Sequence, residues 1–462
     1  MGSNSWREVK LSDLGEVARG RSRHRPRYAE HLYGGEYPFI QTGDIKASEG
    51  RISSHEQTYS EAGLAQSRLW PAGTMCITIA ANIAETGVLQ YPACFPDSVI
   101  GFIADKNKAD VYYIEYVFRK LRKDIQRQAT GSVQDNINLQ TFERLKFKVP
   151  HVEEQHRIAN FLNHFDKKIT LNRQINQTLE QMAQTLFKSW FVDFDPVVDN
   201  ALDAGFFEQD LAFSDELLRR VEVRKAVRES DNFKPLSEDI RRLFPNAFEE
   251  CVESALGLGG WVPKGWNNGC ISDVAHYRTK RINTSELTLT NYISTENMLV
   301  DRKGIQKATA LPTVNSVPAY TSGTILISNI RPYFKKIWLA KGDGGYSNDV
   351  LGFEVKDQGT EEYLFNLMYQ DSFFDFMMAT SKGSKMPRGD KKAILGLELV
   401  VPPLKLRKLF SKNVNGFYTS SSIRNNENHA LGHLRDTLLP KLISGELSLS
   451  NIKIDIPEET LI

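Results

Sequence analysis

The alternation of apolar and polar positions changes character several times along the chain. Short β-rich or alternating runs at Thr74 to Ile79, Val99 to Ile103, Thr324 to Ile327 and Leu397 to Val401 predict strands. Val111 to Gln128 and Glu361 to Met378 place aromatic and aliphatic residues at helical spacing and predict amphipathic helices. Beyond Pro150 a longer helical pattern begins, carrying Phe161, Phe165, Ile169, Ile175, Leu179, Met182, Leu186 and Trp190. Beyond Pro402 a second such segment carries Leu431, Leu434, Leu438 and Leu442, in the places that Leu179, Met182, Leu186 and Trp190 hold in the first. Spacings of three and four gather these residues on one face, the stripe that a partner helix covers. A lone amphipathic helix usually packs on its own domain. Two equivalent stripes can also bury each other in an antiparallel pair, with Ile175, Leu179, Met182 and Leu186 as pairing residues of the first helix.

The recurrence extends beyond the helices. Trp6 followed by Leu11-Ser12-Asp13 returns as Trp266 followed by Ile271-Ser272-Asp273. Ile40-x-Thr42-x-Asp44 returns as Ile293-x-Thr295-x-Asn297, and Gly73-Thr74-x-x-Ile77 as Gly323-Thr324-x-x-Ile327. Val99-x-Gly101-Phe102 matches Val350-x-Gly352-Phe353, Gly131-Ser132 matches Gly383-Ser384, and Leu145-x-Phe147-x-Val149-Pro150 matches Leu397-x-Leu399-x-Val401-Pro402. An ordered series of this kind marks a duplicated unit. The expected fold is α+β: two similar mixed α/β domains joined by two long antiparallel coiled-coil helices, a pseudo-twofold internal repeat. The expected boundaries are 1–150 and 261–402 for the domains, 151–195 and 403–462 for the helical regions, and 196–260 for a connector. Both Trp6 and Trp266 are expected as core anchors.

Length and composition agree with several folded units. The chain has 462 residues, of which 41% are hydrophobic and 25% charged, and its mean hydropathy is −0.38, values of a folded, water-exposed protein. No apolar run approaches the ~18 residues of a spanning helix, and Met1 to Trp6 has no signal-peptide core. The cysteines Cys76, Cys94, Cys251 and Cys270 are scattered, with no C-x-x-C pair, so neither a zinc site nor a disulfide framework is indicated and a reducing cytoplasm is expected. The net charge is +1, but Val192 to Gly260 holds sixteen acidic against eight basic residues. Two mildly basic units thus flank an acidic connector, most of whose charges are expected to be solvated surface.

Catalytic patterns are weak. Gly15-x4-Gly20-Arg21-Ser22 resembles a phosphate loop but has Arg21 where lysine must reach between phosphates. Glu354-Val355-Lys356 has the E-x-K spacing of metal-dependent nucleases, with Asp343 and Asp349 upstream, but strand alternation produces the same spacing. No H-E-x-x-H, G-x-S-x-G or G-x-G-x-x-G occurs, nor the Asn-Pro-Pro-aromatic or Asp-Pro-Pro-Tyr tetrapeptide of amino-methyltransferases. No catalytic or metal-ligating residue is therefore assigned.

Binding signals are stronger. Arg19, Arg21, Arg23, Arg25 and Arg27 alternate through a stretch that Pro26 keeps from helix, and would present cations to phosphates or a guanine edge. Gly131, Ser132, Gln134 and Asn136, and in the other half Gly383, Ser384, Lys385 and Arg388, lie in equivalent loops suited to a groove. Asn329, Arg331, Tyr333, Lys335 and Lys336 form a further basic and aromatic cluster. Each has an ordinary reading as a turn or a solvated loop.

Four helix and linker motifs carry a family resemblance. They are Glu154-Gln155-x-x-Ile158-Ala159-x-Phe161-Leu162, Lys188-Ser189-Trp190-Phe191-Val192-Asp193-Phe194-Asp195-Pro196, Trp261-Val262-Pro263-x-Gly265-Trp266 and Leu438-Leu439-Pro440-Lys441-Leu442-Ile443-Ser444-Gly445-Glu446-Leu447. With the duplication, they make the chain resemble the specificity subunit of type I restriction-modification enzymes over nearly its whole length. The second helix departs from the first, with Leu404-Lys405-Leu406-Arg407 where Glu153 to His156 align. The resemblance implies a noncatalytic, cytoplasmic reader of a bipartite double-stranded DNA target, each domain taking one half. It implies docking of two adenine methyltransferase subunits on the helices and addition of endonuclease/translocase subunits. S-adenosylmethionine, ATP and magnesium would bind those partners and not this chain. Two other readings remain open: a metal-dependent nuclease or single-chain DNA methyltransferase using Glu354 and Lys356, and a general protein-interaction scaffold.

Overall fold

The computed structural model describes residues 6–449 apart from 25, 27, 132–141, 143 and 252–255. The chain divides into two compact units, Met1–Asn172 with Asn426–Ile462, and Arg173–Asn425.

In the first unit a five-stranded sheet runs in the order Gly15–Arg19, Val99–Ala104, Met75–Thr78, Thr86–Leu89, Arg51–Ile52. All neighbours are antiparallel except the last pair. The second unit repeats the scheme in a four-stranded sheet: Ala275–Tyr277, Val350–Val355, Ile325–Ser328, Ile337–Leu339. In each, a further two-stranded ribbon pairs the start of the lobe with its end, Arg7–Lys10 with Lys146–Val149 and Asn267–Cys270 with Glu398–Val401.

The repeated sequence landmarks do the same local work twice. Asp13 accepts the Lys10 amide at 2.8 Å and Asp273 accepts the Cys270 amide at 2.8 Å, each capping the turn that leaves the ribbon. Asp44 accepts from the Gln41 amide at 2.7 Å, as Asn297 does from Ser294 at 2.6 Å. Gly101 lies under Trp70, where a Cβ would come within 2.6 Å of the indole, and Gly352 lies under Tyr346, at 2.4 Å from its hydroxyl. Phe102 and Phe353, next in sequence, are fully buried in the two lobe cores, each worth ~2–3 kcal/mol of apolar burial. Trp266 is buried among Phe191 and Phe194, whereas Trp6 is half-buried against Gly445.

The expected helix over 361–378 is two helices, Glu361–Tyr369 and Asp371–Ala379. Gln370 is extended between them, and its side chain donates to the Asn366 carbonyl at 3.0 Å. The two long helices, Val152–Phe191 and Leu404–Ser444, begin earlier than the apolar stripes, directly after Pro150 and Pro402–Pro403. Gln155 donates to the Pro150 carbonyl at 3.0 Å and Arg407 to that of Pro402 at 3.1 Å, so Arg407 takes the place of Gln155 despite the sequence departure there.

The helices run antiparallel in each unit, but their apolar stripes do not face each other. In the first unit Ile158, Ala159 and Leu162 share a core with Leu439, Leu442 and Ile443, with Leu438 partly buried beside them. In the second, Ala183, Phe187, Trp190 and Phe191 pack on Leu406, Phe410 and Val414, with Leu186 at the margin. The reason is geometric: an antiparallel partner brings the start of one helix against the end of the other, so matching positions of a repeat are far apart along the pair. Between these apolar ends the seam is polar. Asn172, buried, donates to Glu427 at 2.7 Å and Asn428 at 2.9 Å in the first unit, and Asn176 donates to Asn425 at 3.0 Å in the second. Ile175, Leu179 and Leu431 are only half-buried. Met182 and Leu434, expected in the seam, are 49% and 46% exposed and do not form it.

The acidic connector is folded. Helices Asp195–Asp203 and Asp215–Arg228 pack together with Phe194, Val197, Ala201, Leu217 and Val221 in the core of the second unit. The aspartates of the first of these helices are paired: Asp195 with Arg220, Asp199 with Arg224 at 2.6 Å, and Asp203 with Arg228 and Arg241. One helix carries aspartates and the other arginines at matching four-residue intervals, so these three aspartates are neutralised by neighbours, while most of the connector's other described carboxylates, Glu216, Glu222, Glu229 and Asp231 among them, are exposed.

Candidate nucleic-acid interface

In the first lobe Arg19 closes its strand with Nε donating to the Asp97 carbonyl at 2.9 Å. Gly20 and Arg21 then bond the Val99 and Phe95 carbonyls through their amides, at 2.8 and 3.2 Å, and hold the start of the arginine stretch to the sheet. Arg21 and Arg23 are exposed on either side of buried Ser22, as the alternation requires. Arg25 lies outside the described residues. Gly131 ends the helix Val111–Gly131, while Ser132, Gln134 and Asn136 lie outside the described residues.

The second lobe brings two of the expected groups together. The loop after Ile325–Ser328 carries Arg331, Tyr333, Lys335 and Lys336, and the loop with Gly383, Ser384, Lys385 and Arg388 is fastened to it. The Arg331 amide donates to the Pro387 carbonyl at 2.8 Å, and Ile330 and Arg388 form an antiparallel bridge. Arg331 and Lys335 have φ of 50° and 49°, left-handed values that bracket the turn Pro332–Phe334. Gly383 has φ of 97°, which its lack of a Cβ allows. Ser384, Lys385 and Arg388 are exposed. Lys335 reaches Asp371 at 2.7 Å, Arg388 reaches Asp349 at 3.1 Å, and Lys336 donates to the Thr295 carbonyl at 2.7 Å. Burial lowers the Lys336 ammonium from its ordinary value, while Lys335 and Arg302 hold Asp371 down to about 2.

The lobes join their helices through different chemistry, which the sequence pattern did not single out. In the first unit Asp166, buried on the long helix, accepts from Tyr116 at 2.6 Å, meets Arg119 at 3.3 Å and pairs with Arg435 of the other long helix. Arg119 also holds buried Glu115 at 2.6 Å, which Arg51 reaches at 3.3 Å. In the second unit the corresponding joint has the ion pair of Arg407 with Asp357 at 3.2 Å at its edge and is otherwise built mainly of amides, phenols and carboxylates bonded to neutral donors. Gln184 donates to Asn366 at 2.7 Å, Gln370 to Gln184 at 2.8 Å and Tyr418 to Asn366 at 3.0 Å. Glu180, bonded by Tyr369, is raised above the ordinary carboxylate range by burial.

The E-x-K carboxylate is engaged otherwise: Glu354 pairs with Arg278 and lies 3.6 Å from His276. Among the described residues no group of three or more His, Cys, Asp or Glu side chains could hold a metal ion, and no described helix is long and apolar enough to cross a membrane.

The architecture defines a class, a duplicated α+β scaffold in which each lobe is seated on stretches of two long helices. Residues 4–181 match the family model of the type I restriction modification DNA specificity domain. Relatives agree with the resemblance noted from the sequence. The chain is 26% identical over 337 residues to the type I restriction enzyme HindI specificity subunit of Haemophilus influenzae, covering 67% of this chain and 71% of that one. It is 29% identical over 227 residues to the MjaIX specificity subunit of Methanocaldococcus jannaschii, covering 47% and 48%. The fold is similar to the crystal structure of the type I restriction-modification S subunit from M. genitalium, with a TM-score of 0.53 at 14% identity over 96% of this chain and 97% of that one.

Proposed function

We propose that the chain is the noncatalytic DNA specificity subunit of a type I restriction-modification enzyme, reading a split double-stranded target with one half-sequence per lobe. The observation that carries this reading is the duplicated lobe scheme, with the same strand order and the same capping residues in both units. Exposed Arg21, Arg23 and Lys385 supply phosphate contacts, and groove contacts supply sequence. The partners are two methyltransferase subunits on the long helices and endonuclease/translocase subunits added to them. S-adenosylmethionine, ATP and magnesium belong to those partners, in the cytoplasm.

Apolar side chains on the outer helix faces fit the docking role. Leu171 and Met182 on the first long helix, and Ile423 and Leu434 on the second, are exposed by 46% or more. Leu171 and Leu434 belong to the first unit, and Met182 and Ile423 to the second.

The test uses the helices as spacers. Inserting one turn, about four residues, near Gln177 and near His429 lengthens the unread gap of the methylated motif and leaves both half-sequences intact. Sequencing methylated sites in cells with the wild-type and altered gene reads the result. An unchanged gap refutes the spacer role, and methylation independent of this gene refutes the specificity role.

A further inference from the structure

We propose that Arg331 is the base-reading side chain of the second lobe and recognises a guanine of its half-site, an inference that rests on the DNA-reading role above. The cations around it are engaged: Lys335 with Asp371, Lys336 with the Thr295 carbonyl, Lys382 with Asp390 at 2.6 Å and Arg388 with Asp349. Arg331 is not. Its side chain makes no hydrogen bond or ion pair among the described residues, and its Nε is buried without a partner. Two residues earlier, Asn329 is 92% buried, from an exposure of 8%, and its Oδ1 is also unpartnered. Buried polar atoms left unbonded cost stability, and a bound ligand that completes the bonding is one reason a folded protein carries them.

The backbone beneath Arg331 is fixed. Its amide is held by Pro387, its carbonyl accepts the Phe334 amide at 3.0 Å, and its φ of 50° is one that a non-glycine residue keeps only under such restraint. A half-buried guanidinium on a clamped loop has a set direction. That suits the paired acceptors N7 and O6 of guanine, which a planar fork meets with two hydrogen bonds. A phosphate needs no such direction, and exposed Lys385 on the adjoining loop serves it. In the first lobe the corresponding hairpin, between Met75–Thr78 and Thr86–Leu89, has Ala81 and Ala84 in left-handed conformations and no cation. Guanine reading by this hairpin therefore belongs to the second lobe alone.

The experiment compares the wild-type chain, Arg331→Gly and Arg331→Lys, each co-expressed with its cognate methyltransferase subunits, by sequencing methylated sites. Glycine accepts the positive φ, so its substitution removes the guanidinium without straining the turn. In Arg331→Gly, one guanine position of one half-sequence becomes tolerant of other bases, its preference falling about tenfold or more, and every other position is kept. Arg331→Lys retains the charge but loses the fork, and relaxes the same position. An unchanged motif in both variants overturns the proposal. So does an even loss of methylation across all sites with the motif intact, which marks a phosphate contact. If thermal melting shows that the glycine variant does not assemble, the lysine variant decides by the same criteria. Failure of the wild-type chain to direct methylation to any motif would instead remove the specificity role itself.

Discussion

Asp166 gathers a phenol and three guanidinium groups around one buried carboxylate, Arg51 being the farthest at 3.8 Å. Burial alone would raise its pKa, but Arg119 and Arg435 outweigh burial and hold it below its ordinary value. A carboxylate lowered on folding contributes stability above its unfolded pKa of about 3.9, and that contribution is lost as pH falls through the folded value. Asp166→Asn takes the shared carboxylate from Arg119 and Arg435, leaving them Glu115 and Asp436, and is expected to cost about 3 kcal/mol at neutral pH. Urea unfolding at pH 7 reads the loss, and the gap between wild type and variant narrows in acid below pH ~4. This network was not legible in the sequence, because Asp166 and Arg435 are 269 residues apart and nothing local marks them as partners. Asp13 and Asp273 were legible as a repeated pair because each caps a turn three residues away. The same contrast holds among the cationic candidates. Sequence gathered Arg331, Lys335 and Lys336 in one basic cluster and set Arg388 in a separate loop, and only tertiary neighbours separate those held by Asp371 and Asp349 from the one left unpaired.

At the scale of elements, periodicity located both long helices and left their pairing undetermined. A 3.6-residue period says which residues share a face but not what covers that face, and antiparallel alignment sends each stripe to a different core. Phe187 and Trp190 meet Phe410, while Leu442 meets the core of Ile158 and Leu162. Met182 and Leu434, which share the sequence spacing of these core residues, are left on the outside. Their exposure makes a prediction specific to docking. Met182→Glu with Leu434→Glu is expected to change folding stability by less than about 0.5 kcal/mol and to weaken co-purification with the methyltransferase subunits. A double variant that co-purifies as well as wild type would show that the partner sits elsewhere. The break at Gln370 was hidden for another reason: Glu361 to Met378 keeps a helical pattern through it, and the interruption comes from backbone geometry and the Gln370 to Asn366 bond.

For the whole molecule, a net charge of +1 is too small to draw DNA by overall attraction. Three of the acidic connector's sixteen carboxylates, Asp195, Asp199 and Asp203, are paired on the arginine ladder, and the basic loops of the lobes are the local attractors of phosphate. Removing Arg21 and Arg23 together is expected to weaken binding at all sequences alike. It should also reduce the slope of log affinity against log salt by about two, one per phosphate contact. Titrating DNA affinity of the assembled complex against salt concentration measures it, and an unaltered slope would place the phosphate contacts on other residues.

The two joints between lobe and helix also constrain how such a gene can change by recombination. A foreign first lobe spliced in at residue 150 would arrive without Tyr116 and Arg119 and would leave Asp166 and Arg435, encoded far downstream, with a half-built ion cluster to complete. Workable crossovers for that lobe therefore fall inside the helix codons, or draw on donors with matching charges. The second lobe, seated mainly through amides and phenols with the ion pair of Arg407 and Asp357 at its edge, accepts strangers on easier terms.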